Sequence, residues 1–279
     1  MKVNVAKHAG FCAGVKIAVR KALTAAAKPG EVYMLGDIVH NEIVVNQLDD
    51  VGAKVVDKIF RIPKGATILV RAHGTVPRTY EQARRRGLKI IDATCPMVAD
   101  IHQEARRLAK KNYQVAIVGD EGHDEVIGIA GQVAKSIILA EPADVEKKLP
   151  QRIKKLGVVV QSTQSIDKVK DIISALVNRV EKLVFVDTIC RPTKKRQSEA
   201  RELARQNDVV IVIGSPSSAN TKRLVEICQQ TNSRTHRVMT SKNLRSGWLK
   251  GVKTVGITAG ASTPREMIDK VVEKLEKCK

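Results

Sequence analysis

Aromatic residues are scarce in this 279-residue chain: one Trp, three Tyr and three Phe, too few to build a stacking platform for single-stranded nucleic acid. Long apolar runs are missing as well. No uncharged apolar stretch approaches the about 18 residues of a membrane-spanning helix, and the start MKVNVAKHAG lacks the apolar core of a signal peptide, so a cytoplasmic location is expected. The pattern C-x-x-C does not occur, which removes the paired-ligand signature of structural zinc. Cys12, Cys95, Cys190, Cys228 and Cys278 are odd in number, so a disulfide framework is not expected and metal ligation or catalysis moves up. Acidic residues run short too, 29 against 49 basic, leaving a net charge of +20. That excess suits nucleic acid, an anionic surface or a phosphorylated small molecule, and charge alone does not choose among them.

What is present is apolar material for packed cores, 43% of the residues, in an alternating pattern. Short β-branched runs (VYML, TILV, KIIDA, QVAIV, SIILA, GVVVQ, LVFVD, DVVIVI and TVGIT) are separated by amphipathic stretches of helical length. The pattern predicts an α/β fold with parallel sheets covered by helices.

Beneath the alternation lies a repeat. Cys12, Cys95 and Cys190 are each followed 24 residues later by a glycine closing an apolar run: Gly36, Gly119 and Gly214. Four residues on stand His40, His123 and Ser218, and after the next strands come His73, the pair Ser162–Thr163, and Ser262. IIDATCP and FVDTICRP, which lead into two of the cysteines, are visibly alike. The chain therefore reads as three copies of one unit: 13–94, 95–189 and 190–279, related by pseudo-threefold repetition. Strand ends of parallel sheets face ligand crevices, so the nine stations are expected to point into a central cavity. The final helix needs a strand leading to a cysteine after it, a role that falls to residues 2–7; residues 1–12 are expected to pack on the third unit.

Each repeated cysteine lies between a strand and a helix, where backbone N–H groups and the helix dipole favour a thiolate. Three buried structural cysteines are the plainer reading of such residues taken singly; their shared repeat position turns the balance toward ligands. Three distant thiolates suit an iron–sulfur cluster with one iron not held by protein. His40, His73, His123, Ser218, Asn220 and Ser262 form a set suited to an oxygen-rich anion such as a diphosphate, with three histidines on one metal as the rival. Glu125, two residues past His123, is a candidate proton donor if its surroundings are dehydrated. Cys228, Cys278, His8, His102 and His236 share no station and read as structural, although His8 is near Cys12. The basic run RPTKKRQ after Cys190 reads either as neutralising a cluster or as a docking surface for an acidic electron donor.

With GFCAGV, DATCPMV and TICRPTKKRQ around the cysteines, and VHN, RAHG, GHDE, GSPSSAN and TAGAST between and after them, the chain resembles the 4-hydroxy-3-methylbut-2-enyl diphosphate reductase (LytB/IspH) family to about residue 267. The resemblance implies a reductive removal of an allylic hydroxyl giving isopentenyl and dimethylallyl diphosphates, the last step of the non-mevalonate isoprenoid pathway. It implies a 4Fe-4S cluster on Cys12, Cys95 and Cys190, a diphosphate pocket of His40, His73, His123, Ser162, Thr163, Ser218, Asn220 and Ser262, and Glu125 as proton donor. A ferredoxin or flavodoxin is the implied electron donor, and a monomer without membrane or nucleic-acid partners is expected. Two departures stand out: Ala219 replaces a usual serine, and Ser162 replaces a usual threonine, so weakened substrate binding is expected. A paralogue acting on another allylic phosphate or sensing redox state, and an RNA- or anion-binding protein, are the alternatives.

Overall fold

The computed structural model describes residues 1–277, so Cys278 lies outside the described residues. The chain first forms β1 (Lys2–Val5) and α1 (Ala13–Ala26). It continues with β2 (Val32–Leu35), α2 (Glu42–Asp50), β3 (Ala53–Val56), β4 (Thr67–Val70), α3 (Pro77–Arg85), β5 (Lys89–Asp92) and α4 (Pro96–Lys110). Then come β6 (Gln114–Val118), α5 (Asp124–Ala130), β7 (Ser136–Leu139), α6 (Ala143–Lys148), β8 (Ile153–Val160), α7 (Ile166–Val177), β9 (Val180–Phe185) and α8 (Arg191–Gln206). The last elements are β10 (Val209–Ile213), α9 (Ala219–Gln229), β11 (Thr235–Val238), β12 (Thr254–Ala259) and α10 (Arg265–Lys277).

The strands make three four-stranded sheets ordered β3-β2-β4-β5, β7-β6-β8-β9 and β11-β10-β12-β1, and all nine pairings are parallel. One topology therefore occurs three times. The fourth strand of the third sheet is β1, paired with β12 from Lys2 opposite Thr254 to Val5 opposite Ile257. Each fourth strand, β5, β9 or β1, leads within a few residues to a repeated cysteine.

By contacts the chain divides into two compact units. One consists of Met1–Lys16, His40–Val44 and the chain from Arg191 onward, and holds the sheet with β10 at its centre; the other, Ile17–Val39 and Val45–Cys190, holds the remaining two sheets.

Parallel sheets need helical crossovers, which cover both faces and make the central strands apolar throughout. Accordingly every residue of β10 is buried, as are the last five of β8. In the two-sheet unit, Val118, Leu139, Val158 and Ile172 pack on one face of the β6-centred sheet and Ile101, Leu108, Ile117 and Val159 on the other. Besides β1 (KVNV), which the repeat alone pointed to, two strands lack an apolar run in the sequence, β3 (AKVV) and β11 (THRV). Both are sheet edges, where half the side chains face water and carry no apolar signature.

The repeated glycines have a steric reason. A Cβ on Gly119 would stand 2.6 Å from Val126 Cγ2, and one on Gly214 would stand 2.4 Å from Thr221 Oγ1. At these strand ends the following helix closes down on the backbone, and only glycine leaves room.

Candidate active site

The three repeated cysteines occupy matching positions. Cys12 immediately precedes α1, Cys95 caps the N-terminus of α4 ahead of Pro96, and Cys190 immediately precedes α8. All three are half-buried. Their backbone N–H groups donate to carbonyls just beyond the third strand of each sheet: Cys12 to Ala261 at 3.2 Å, Cys95 to Ala72 at 2.9 Å and Cys190 to Ser162 at 3.1 Å. Three half-buried thiols at matching helix N-termini form, by their chemistry, a donor set of the kind that holds an iron–sulfur cluster. Cys228 is different in kind: fully buried in α9, its thiol is pushed up to about 12 by burial, leaving it inert.

Within the two-sheet unit the structure joins several predicted residues. Glu125, 1% exposed on the first turn of α5, accepts the Ser162 N–H at 2.5 Å on Oε1 and the Ser162 hydroxyl at 2.8 Å on Oε2. Burial pushes its carboxyl up to about 7; the two Ser162 hydrogen bonds oppose the shift and the Asp120 charge adds to it. His123 caps the same helix, its Nδ1 accepting the Glu125 N–H at 3.1 Å, which places the proton of the neutral ring on Nε2. His73 lies edge-on to His123, ring centres 5.6 Å apart. Arg71 pairs with Asp124 at 2.5 Å, and Gln132, two residues past α5, donates to the Thr75 carbonyl at 3.2 Å, so the His73 loop is tied to the start of α5 and to the chain just beyond its end. Thr163 accepts a hydrogen bond from Gln161 Nε2 at 3.1 Å.

The other unit gathers hydroxyls and amides. Ser262 donates its hydroxyl to the His40 carbonyl at 2.9 Å, and Asn41 Nδ2 donates to the Ser262 carbonyl at 2.6 Å. Ser218 caps α9, accepting the Thr221 N–H at 3.4 Å. Beside it Asn220 is 4% exposed, and its Nδ2 has no hydrogen-bond partner among the described residues. A buried amide donor left unpaired costs about 1–3 kcal/mol, which a bound oxygen-rich anion would recover. Ala219, where a hydroxyl was expected, is the first residue of α9 between these two groups.

Two polar residues in this region were not singled out from the sequence. Asn41 is fully buried and holds the Ser262 loop; Gln161, also fully buried, accepts the Asp120 N–H at 2.8 Å while donating to Thr163. The available signal was adjacency, since each stands next to a chosen residue in VHN and VVVQST. Of the basic run after Cys190, Thr193, Arg196 and Gln197 turn inward and only Arg191 and Lys195 are exposed. His102 is buried on α4 and lowered to about 4, first by burial and then by the Arg106 charge. His236, also lowered by burial, stacks on Trp248 with ring centres 4.1 Å apart.

Three parallel sheets whose strand-end loops and helix starts carry thiols, hydroxyls and a buried carboxyl are the frame of an α/β enzyme. The sequence matches the family described as LytB protein over residues 3–276. The chain belongs to that family. It is 41% identical over 275 residues to the 4-hydroxy-3-methylbut-2-enyl diphosphate reductase of Geobacter metallireducens, covering 99% of this chain and 97% of the relative. To the enzyme of the same description from Geotalea uraniireducens it is 43% identical over 277 residues, covering 99% and 98%. The solved E-1-hydroxy-2-methyl-but-2-enyl-4-diphosphate reductase of Plasmodium falciparum superposes with a TM-score of 0.93 at 32% identity, covering 98% of this chain and 87% of that one. A second solved structure, described as (E)-4-hydroxy-3-methyl-but-2-enyl diphosphate reductase, the terminal enzyme of the non-mevalonate pathway, gives 0.72 at 37% identity, covering 99% and 100%.

Proposed function

We propose that this protein is an oxidoreductase that converts 4-hydroxy-3-methylbut-2-enyl diphosphate to isopentenyl and dimethylallyl diphosphates, the last step of the non-mevalonate isoprenoid pathway. Two electrons and two protons enter; the allylic carbon–oxygen bond breaks, the hydroxyl leaves as water, and a carbon–hydrogen bond forms at either end of the allyl unit. The observation that carries this reading is the geometry of Glu125, buried on α5 and hydrogen-bonded by both donors of Ser162, with burial pushing its carboxyl up to about 7.

In this reading Cys12, Cys95 and Cys190 would hold a 4Fe-4S cluster, which when bound supplies the electrons and a Lewis-acidic iron. Glu125 gives its proton to the departing oxygen, and the Ser162 N–H and hydroxyl stabilise the carboxylate left behind. The diphosphate is held by His40, His73, His123, Thr163, Ser218, Asn220 and Ser262, which share its charge through many modest hydrogen bonds. Burial of Glu125 keeps bulk water from exchanging with the proton it delivers.

The repeat supports the three-part division 13–94, 95–189 and 190–279, with 1–12 belonging to the third part. A ferredoxin or flavodoxin as donor and a monomer in the cytoplasm complete the proposal; no described helix is long and apolar enough to cross a membrane.

The test is an anaerobic assay of the iron-reconstituted protein with reduced viologen and the hydroxylated allylic diphosphate, the two products separated by chromatography. Turnover to both isomers is expected. A brown protein that reduces another allylic phosphate and leaves this one untouched overturns the proposal.

A further inference from the structure

The approach to Cys12 differs from the approach to its two counterparts. Ahead of Cys190 the chain stays in step with the neighbouring strand: Val186 N–H donates to the Val158 carbonyl and Cys190 N–H to that of Ser162, four residues against four. Ahead of Cys95, Ala93 pairs with Val70 and Cys95 with Ala72, two against two. Ahead of Cys12, Ala6 pairs with Ile257 and Cys12 with Ala261, six against four. Two surplus residues leave the ladder, and their backbone groups have to find partners elsewhere.

α8 supplies them. The Glu199 carboxylate accepts the His8 backbone N–H at 3.0 Å on Oε2 and meets His8 Nδ1 at 2.6 Å on Oε1. Arg196, one turn earlier on the same face of the helix, donates Nη2 to the Gly10 carbonyl at 2.5 Å and is 4% exposed. Gly10 itself has φ +91°, and a Cβ there would stand 2.9 Å from Ile268 Cδ1, so the loop is pressed against α10 while α8 grips it.

We propose that Glu199 and Arg196, with His8 as the paired group on the loop, are positioning residues for Cys12: they hold the surplus loop so that its last residue presents its thiol in a fixed direction. The inference rests on the reading of Cys12 as a cluster ligand. A carboxylate accepting two donors from one loop residue, with a buried guanidinium on the carbonyl two residues further on, fixes the loop at two points, whereas the segments before Cys95 and Cys190 stay in register with their sheets.

The test compares full-length wild type, Glu199→Ala, Glu199→Gln, His8→Ala and the double variant His8→Ala/Glu199→Ala. Alkylation of Cys12 and Cys95 by N-ethylmaleimide in the metal-free protein is followed by peptide mass spectrometry, and iron release to a chelator is followed in the reconstituted protein. Glu199→Ala is expected to speed Cys12 alkylation and iron release by about five- to tenfold, on the scale of losing a charge-assisted hydrogen bond, with Cys95 unchanged. Glu199→Gln keeps one acceptor and falls between, and the double variant is no worse than Glu199→Ala because the two residues act as one contact. Equal Cys12 rates in wild type and Glu199→Ala overturn the positioning role. Cys12→Ser is the separate control: if it keeps a full complement of iron with an unchanged spin-resonance spectrum, the ligand reading fails whatever the alkylation rates show.

Discussion

Glu125 and Ser162, 37 residues apart in sequence, share both oxygens of one carboxylate and both donors of one serine, at 2.5 and 2.8 Å. A carboxyl buried to 1% exposure would otherwise stay protonated well past neutrality; Ser162 draws it back, to about 7. Burial and the Ser162 hydrogen bonds thus pull one carboxyl in opposite directions.

Replacing Glu125 by Gln preserves the shape and removes the transferable proton. Turnover is expected to fall about 10²–10⁴-fold, the usual range for loss of a general acid, with KM within a few-fold of wild type. Steady-state kinetics under anaerobic conditions check this; retention of wild-type kcat would remove Glu125 from the proton path.

The same group makes stability depend on pH. Its folded-state carboxyl lies above the ordinary 4.5, at about 7, so its contribution is fully present below pH 4.5 and is lost as pH rises through 7. Relative to Glu125→Gln, the wild type should lose on the order of 3 kcal/mol across that window. Urea denaturation of both proteins from pH 4.5 to 8 measures the difference, which should widen toward alkaline pH.

Asn220 has a buried amide nitrogen with no hydrogen-bond partner among the described residues, so it contributes little to the fold through that atom. Asn220→Ala should raise KM for the diphosphate by about tenfold, the value of one charge-assisted hydrogen bond, with the melting temperature nearly unchanged. Ala219→Ser should act in the opposite direction, lowering KM by about three- to tenfold. If KM is the same for Ala219→Ser and wild type, the missing hydroxyl has no part in binding.

Iron content separates the cysteines. Cys12→Ser, Cys95→Ser and Cys190→Ser should each lower iron bound after anaerobic reconstitution, whereas Cys228→Ser should leave it at the wild-type level and cost stability by burying a hydroxyl among Val210, Val212 and Leu224. Iron analysis together with thermal denaturation distinguishes the two patterns.

The parallel α/β architecture was readable because its central strands are buried on both faces and must be apolar end to end, as in DVVIVI and GVVVQ. The edge strands β3 and β11 were not, since a strand half in water can be written AKVV or THRV. Asn41 and Gln161 escaped notice for another reason: a buried amide is recognised by what it bonds, and their partners Ser262 and Asp120 are distant in sequence.

The sequence by itself determined the threefold pattern of strand, cysteine and glycine, because spacing along the chain is what places a residue at a strand end. Tertiary structure alone decided the state of those residues. Burial around Glu125, the two hydrogen bonds from Ser162, and the grip of α8 on the surplus loop before Cys12 depend on groups brought together from far along the chain. Desolvation and hydrogen-bond geometry act through space, and neither is written in the order of residues.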